Sequence, residues 1–176
     1  MAPDVFESTW ERLALLGCVL TVVGSVPAWF TLRLDPAFAA LVNEPEEITR
    51  GGLDGDGILT LTFALVVVVA LGYANYRSET GPGWKPAVVT LLSGIGAAGL
   101  AGIAYLDLQS LRDQLAAYEA EGGVNGTLAQ NLSVEVNTAL YVVIVGGALV
   151  VLAGALGTVR ELRRADTPGT DADDPT

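Results

Sequence analysis

The run GILTLTFALVVVVALGYANY, residues 57–76, contains no charged side chain and matches the length of about 20 residues that a helix needs to cross bilayer hydrocarbon. Three further runs share that property: Leu13–Leu32, Pro86–Leu106 and Val136–Val159, each bounded by charge, glycine or proline. A backbone surrounded by lipid must satisfy its own polar groups, so uncharged runs of this length read as helices. The expected fold class is therefore all-α. It is a four-helix transmembrane bundle over residues 1–164, with spans at about 13–32, 57–76, 86–106 and 136–159. The acidic tail 165–176 has almost nothing to bury and is expected to be disordered.

The composition fits apolar spans joined by acidic loops. The chain has 176 residues, is 51% hydrophobic and carries a formal net charge of -11. No hydrophilic segment is long enough for an additional soluble domain of ordinary size, so a single domain is expected. The basic residues are eight arginines and Lys85, and histidine is absent. This bias, with abundant alanine, valine, aspartate and glutamate, resembles that of proteins from salt-accumulating haloarchaea. In molar salt, repulsion between exposed carboxylates is screened within a few ångströms, so the acidity reads as habitat rather than as a surface for a cationic partner.

Cys18, the one cysteine, lies within the first apolar run, which rules out an intrachain disulfide and CxxC chemistry and leaves it as a small packing residue. Without histidine the usual membrane haem ligand and the commonest metal ligand are missing. No cofactor is expected. The segment Ala37-Phe38-Ala39 fits a small-x-small cleavage pattern, but the leader Met1–Arg12 sets Asp4, Glu7 and Glu11 against one arginine, unlike a signal peptide.

Basic residues near the span ends set orientation. Arg12, Arg77, Lys85, Arg160, Arg163 and Arg164 fall on one side, whereas Arg33, Arg50 and Arg112 fall on the other among eleven carboxylates from Asp35 to Glu135. Both termini are expected in the cytoplasm, making this a multi-pass cell-membrane protein with two extracellular loops. Two N-x-[ST] sequons, at Asn125 and Asn131, fall in the segment placed outside and are candidate glycosylation sites. Trp10, Tyr73, Tyr76 and Trp84 are expected to line the inner interface, with Trp29, Tyr105 and Tyr141 at the outer one.

In the first outer loop, Asp35-Pro36 is an N-cap followed by a first-turn proline, which predicts a short helix over Ala37–Val42. Gly51–Gly57 reads as a flexible reversal, with Asp56 placed to cap the second span. Gly81-Pro82-Gly83 forces the second and third spans into a hairpin. In the second outer loop, Leu108, Leu111, Leu115 and Tyr118 recur at helical spacing, so the third span is expected to continue beyond the membrane as an amphipathic helix whose stripe needs a cover. These four are the candidate partner-binding residues. Gly122-Gly123 ends that helix, and Val124–Glu135 leads back to the last span.

Small residues recur every four positions within the spans: Gly17, Thr21 and Ser25; Gly94, Ala98 and Gly102; Ala153 and Gly157. Helices in lipid associate by close packing, which small residues permit, so these are candidate packing residues. Asp54-Gly55-Asp56-Gly57 invites a calcium site, but EF-hand spacing puts Ile58 where an oxygen ligand belongs, and a cap and turn is the simpler reading. The spans carry no ionisable group and no central break of the kind transporters use, and the chain has no histidine base or phosphate-binding loop.

The layout of four helices with inner termini and a longer second outer loop resembles tetraspanins and claudins. Gly24-Ser25-Val26-Pro27-Ala28-Trp29, followed by Gly55-Asp56-Gly57-Ile58-Leu59-Thr60-Leu61, resembles a group of small haloarchaeal four-span proteins. Pro27-Ala28-Trp29 is also similar to a run at the outer end of the first claudin helix. The Gly-Leu-Trp and paired cysteines of the claudin first loop and the Cys-Cys-Gly of the tetraspanin second loop are absent. What the resemblance implies is a non-enzymatic protein organising envelope or membrane complexes or cell contacts through its outer loops. Its expected partners are the bilayer and other membrane or envelope proteins, or a second copy, and not nucleic acid. The alternative is a subunit of a small transporter or channel that forms its pathway only on oligomerising, through the Gly94, Ala98 and Gly102 face.

Overall fold

A computed structural model describes residues 8–77 and 84–165; the Gly81-Pro82-Gly83 connector and tail residues 166–176 lie outside them. The described chain is mostly helical. Its elements are α1 (Thr9–Ser25), β1 (Phe30–Leu34), α2 (Pro36–Val42), β2 (Glu47–Arg50), a 3-10 turn (Gly52–Asp54), α3 (Gly57–Arg77), α4 (Trp84–Glu121), α5 (Gly123–Gln130), β3 (Leu132–Val136) and α6 (Thr138–Ala165). Three of these helices, α3, α4 and α6, are long and apolar enough to cross a membrane, as in a multi-pass membrane protein. Helix α1 has 17 residues.

The four longer helices form a closed ring in which α6 packs on α1 and α4, and α3 packs on the same two from the other side. Their seams are set by backbone approach. A Cβ on Gly17 would lie 2.8 Å from the Gly146 carbonyl oxygen, and one on Gly94 would lie 2.6 Å from the Val151 nitrogen. Thr21, Ser25 and Ala153 are buried, and a side chain at Gly157 would strike the Trp10 ring. Ala98 packs beneath Gly147, whose added Cβ would reach the Ala98 nitrogen at 2.8 Å. Gly102 is the exception among the predicted packing residues, because nothing lies within 4 Å of its would-be Cβ. The sequence reading missed Gly24, Gly146, Gly147 and Gly154, all in close approach to a facing helix. On the remaining seam, the Ser25 and Thr60 hydroxyls share a 2.7 Å hydrogen bond between α1 and α3.

The all-α expectation is corrected by a three-stranded antiparallel sheet of order β2-β1-β3. The first apolar run does not continue as helix to Leu32. It ends at Ser25, two residues before Pro27, and resumes as β1, whose backbone pairs with Glu47–Arg50 on one side and Leu132–Val136 on the other. An apolar run satisfies a helix and a buried strand equally well, and here partners distant in sequence decide between them. The last run likewise yields Val136 to β3 before α6 begins at Thr138. The return segment after Gly122 is itself ordered, as α5 and β3.

Two aromatic assignments change with this. Trp29, expected at an interface, is 2% exposed, and its indole N–H donates to the Gly24 carbonyl at 3.0 Å. Trp10 is also buried, as is its neighbour Glu11, whose carboxylate accepts from the Ser8 hydroxyl at 2.6 Å. Tyr73, Tyr76 and Trp84 are exposed, with Arg77 stacked over Tyr73 at 5.3 Å.

Candidate functional site: a cap built from both loops

The sheet, α2, α5 and the far end of α4 form a cap at the end of the bundle where α1 stops and α3 begins. The apolar part of α4 ends near Leu106, but the helix runs on for 15 residues to Glu121, about 22 Å at 1.5 Å per residue. The stripe on this extension has found its cover. Leu108 is buried, and Leu111 and Leu115 pack with Leu32, Leu132 and Val134 of the sheet in a second apolar core around Trp29. These three candidate partner residues therefore hold the cap together, and of the four Tyr118 is the one that stays well exposed, at 42%.

Strand alternation explains the arrangement. Phe30, Leu32 and Leu34 of β1 share a face with Ile48 of β2 and with Leu132, Val134 and Val136 of β3, and that face turns toward α4. The opposite face carries Thr31 and Arg33. The Arg33 guanidinium bridges both outer strands, meeting Glu47 at 2.9 Å and Glu135 at 3.1 Å. Arg112 of α4 fastens the helix to β3 by donating twice to the Val134 carbonyl, at 3.0 and 2.8 Å. Asn137, between β3 and α6, donates its side-chain amide to the Ala28 carbonyl and the Thr31 hydroxyl, while its backbone N–H reaches the Trp29 carbonyl at 2.8 Å.

Two local signals behaved as their chemistry requires. The Asp35 carboxylate accepts from the Ala37 and Phe38 backbone N–H groups, and α2 closes on Asn43 in the left-handed region. At the reversal into α3, Gly51 has φ 97° and lies so close to Trp29 that a side chain there would meet the Trp29 Cβ at 2.7 Å. The Asp56 carbonyl then accepts from Thr60 N–H at the start of α3, which is the helix's own first backbone bond rather than the side-chain cap expected of Asp56.

Of the sequons, Asn125 stands exposed on α5, whereas Asn131 caps that helix, and its Nδ2 atom donates to the Thr127 carbonyl at 2.7 Å. Asn125 is thus the more accessible acceptor. Among the described residues no group of three or more carboxylate or thiol side chains converges on one point, and the Asp54 side chain is not among those described.

A cleft opens within the cap between the sheet and α4. It has a volume of about 570 Å³ and lies between the β1–β2 half of the sheet, the Gly51–Asp56 reversal and the Ala104–Leu111 stretch of α4. The β3 half of the same sheet face is closed by α4, so the cleft is the unfilled half of a sheet-on-helix sandwich.

Searches with this chain found no matching family model, curated protein or solved structure.

Proposed function

We propose that the protein is a four-span, non-enzymatic membrane protein that organises envelope or membrane complexes or cell contacts through its cap. In this reading α1 joins α3, α4 and α6 as the fourth span, both termini are cytoplasmic and the cap is extracellular. Helix α1 is about 26 Å long by rise per residue, short of the roughly 30 Å of hydrocarbon, yet Leu16, Val19 and Val23 face outward from it at 53–59% exposure. The same holds for Leu65, Leu92, Ile103 and Leu152 on the other three helices, side chains that lipid would solvate. Arg12, Arg77, Lys85 and Arg160 gather at the end opposite the cap, consistent with an inner face there. The claudin-like and tetraspanin-like layout supplies the analogy, and layout alone does not assign a role.

The observation that carries the reading is the cap itself, where both loops contribute strands to one sheet fastened to an extended helix. At the end of the sheet away from Trp29, α2 and α5 present Leu41 and Val124 at 84% and 80% exposure on an otherwise acidic surface. Each has an exposed apolar neighbour, Val42 beside Leu41 and Leu128 one turn on from Val124, and it is such grouped apolar surface that suits contact with another protein. By contrast, Gly94 and Ala98 are used against α6 inside the chain, which leaves little of that α4 face for an oligomeric pore. The test replaces Leu41 and Val124 together with serine and measures recovery of co-purifying membrane proteins in mild detergent. The expected result is loss of partners with insertion and terminal tags on the cytoplasmic face unchanged. Recovery equal to wild type overturns the organiser role, and tags on opposite faces overturn the topology.

A further inference from the structure

We propose that the cleft between the sheet and α4 is a binding site for an amphiphile with a cationic head and a single apolar chain. The cleft's volume of about 570 Å³ falls within the range of small-molecule sites, roughly 300–1,000 Å³. Its walls are Phe30, Leu32 and Ile48 from the sheet and Ala104 and Leu111 from α4, with buried Leu108 at the floor. None of these offers a side-chain hydrogen bond, so the interior selects hydrocarbon.

The mouth selects differently. Three charged side chains line the cleft, Arg50, Asp56 and Asp107, and all three are exposed, which places them at its rim. Among the described residues none of them is in an ion pair, whereas Arg33 on the opposite sheet face binds two carboxylates. Two carboxylates against one guanidinium leave an excess of negative charge beside an apolar slot. An ammonium head satisfies that excess while its chain lies inside. A sulfate or carboxylate head can pair with Arg50 but meets the two carboxylates, and an uncharged head gains no Coulomb attraction from the net charge of the rim.

Asp56 stands at the entry to α3, and Asp107 directly follows the apolar part of α4, so the mouth lies where those helices leave their apolar segments. Supply of the ligand from the bilayer rests on the membrane placement proposed above; the shape and charge of the cleft do not.

The test is isothermal titration of decyltrimethylammonium into the full-length protein in excess dodecyl maltoside, with protein-free micelles subtracted. Decyl sulfate and decyl maltoside serve as comparison ligands. A single saturable site for the ammonium compound is expected, with affinity about two- to fivefold weaker for Asp107→Asn, an exposed rim charge, and also weaker for Ala104→Leu, which narrows the slot. Thermal unfolding without amphiphile verifies that both variants remain folded. Absence of saturation, equal binding of the sulfate, or insensitivity to both substitutions overturns the proposal. Phase partition of the same sample without detergent reports separately on the membrane placement.

Discussion

The bundle and the cap are held together by different physics. In the bundle, α1, α4 and α6 approach through glycines so closely that backbone meets backbone, and the polar contribution is a few hydroxyls such as the Ser25–Thr60 pair. In the cap, strands from distant parts of the chain are joined by ladder hydrogen bonds and by directed side chains: Arg33, Arg112 and Asn137 each tie two or more elements. Apolar side chains gain nothing by leaving lipid for a helix interface, so a membrane bundle depends on fit. In the proposed placement the cap faces water, where burial of Trp29 and Leu108 drives association and polar clamps set the register. The bundle should therefore be intolerant of added volume, and the cap of lost anchors.

The largest effect separates the two at a single residue type. Gly146→Leu places a side chain where Thr21 N lies 2.6 Å and Gly17 O lies 2.8 Å from the new Cβ, and backbone cannot yield as a side-chain tip would. Because backbone atoms block the new side chain, the cost should exceed the usual overpacking range of about 1–3 kcal/mol, and the yield of folded, monodisperse protein in detergent should fall sharply. Gly102→Leu, on a surface with nothing within 4 Å, should leave the thermal unfolding midpoint nearly unchanged. Equal losses for the two substitutions, followed by thermal unfolding in detergent, would show that close fit at Gly146 is not what holds the bundle, since helix propensity favours leucine over glycine at both positions.

The same contrast explains what was legible in the sequence. Helices α3, α4 and α6 follow from local information, since uncharged length alone marks them, and the α4 extension follows from the spacing of Leu108, Leu111 and Leu115. The Asp35-Pro36 cap is equally local and marks α2 to within a residue. The sheet is not local. Nothing in Phe30–Leu34 distinguishes a strand from the end of a helix until Ile48 and Val134 are known to pair with Leu32, the latter from about a hundred positions away. Gly102 shows the converse, since small-residue spacing gives candidates for a seam but not which face has a partner. The cleft was invisible for the same reason: Arg50, Asp56 and Asp107 become neighbours only once the first loop folds onto α4.

Trp29 sits where the two regimes meet, so its removal measures how far the cap depends on one anchor. Trp29→Ala removes a ring that is 2% exposed, and truncation of a buried aromatic costs about 3–5 kcal/mol. The cap should open to limited proteolysis within residues 26–56 and 122–137 while α3, α4 and α6 stay protected. Trp29→Phe keeps most of the volume and loses the indole bond to the Gly24 carbonyl, a change of about 1 kcal/mol. If the bundle is lost along with the cap in Trp29→Ala, the two regions unfold as one unit.

The smallest effect concerns the outer face of the sheet, where charge works in water. Arg33 joins Glu47 of β2 and Glu135 of β3, with all three side chains about half exposed. Pairs of this kind contribute roughly 0.2–1 kcal/mol each, and that contribution falls as salt shortens the screening length from about 10 Å at 0.1 M to about 3 Å at 1 M. Arg33→Ala should therefore lower the unfolding midpoint of the cap by a few degrees at 0.1 M salt and by less at 1 M. A loss that is the same at both concentrations assigns the contribution to packing of the arginine stem on the sheet rather than to its charge. In a chain with an excess of eleven negative charges, screening also relieves repulsion among the remaining carboxylates, so wild type itself should gain stability with salt. The informative quantity is the difference between wild type and variant at each concentration, which cancels that shared gain and leaves the two bridges across β1.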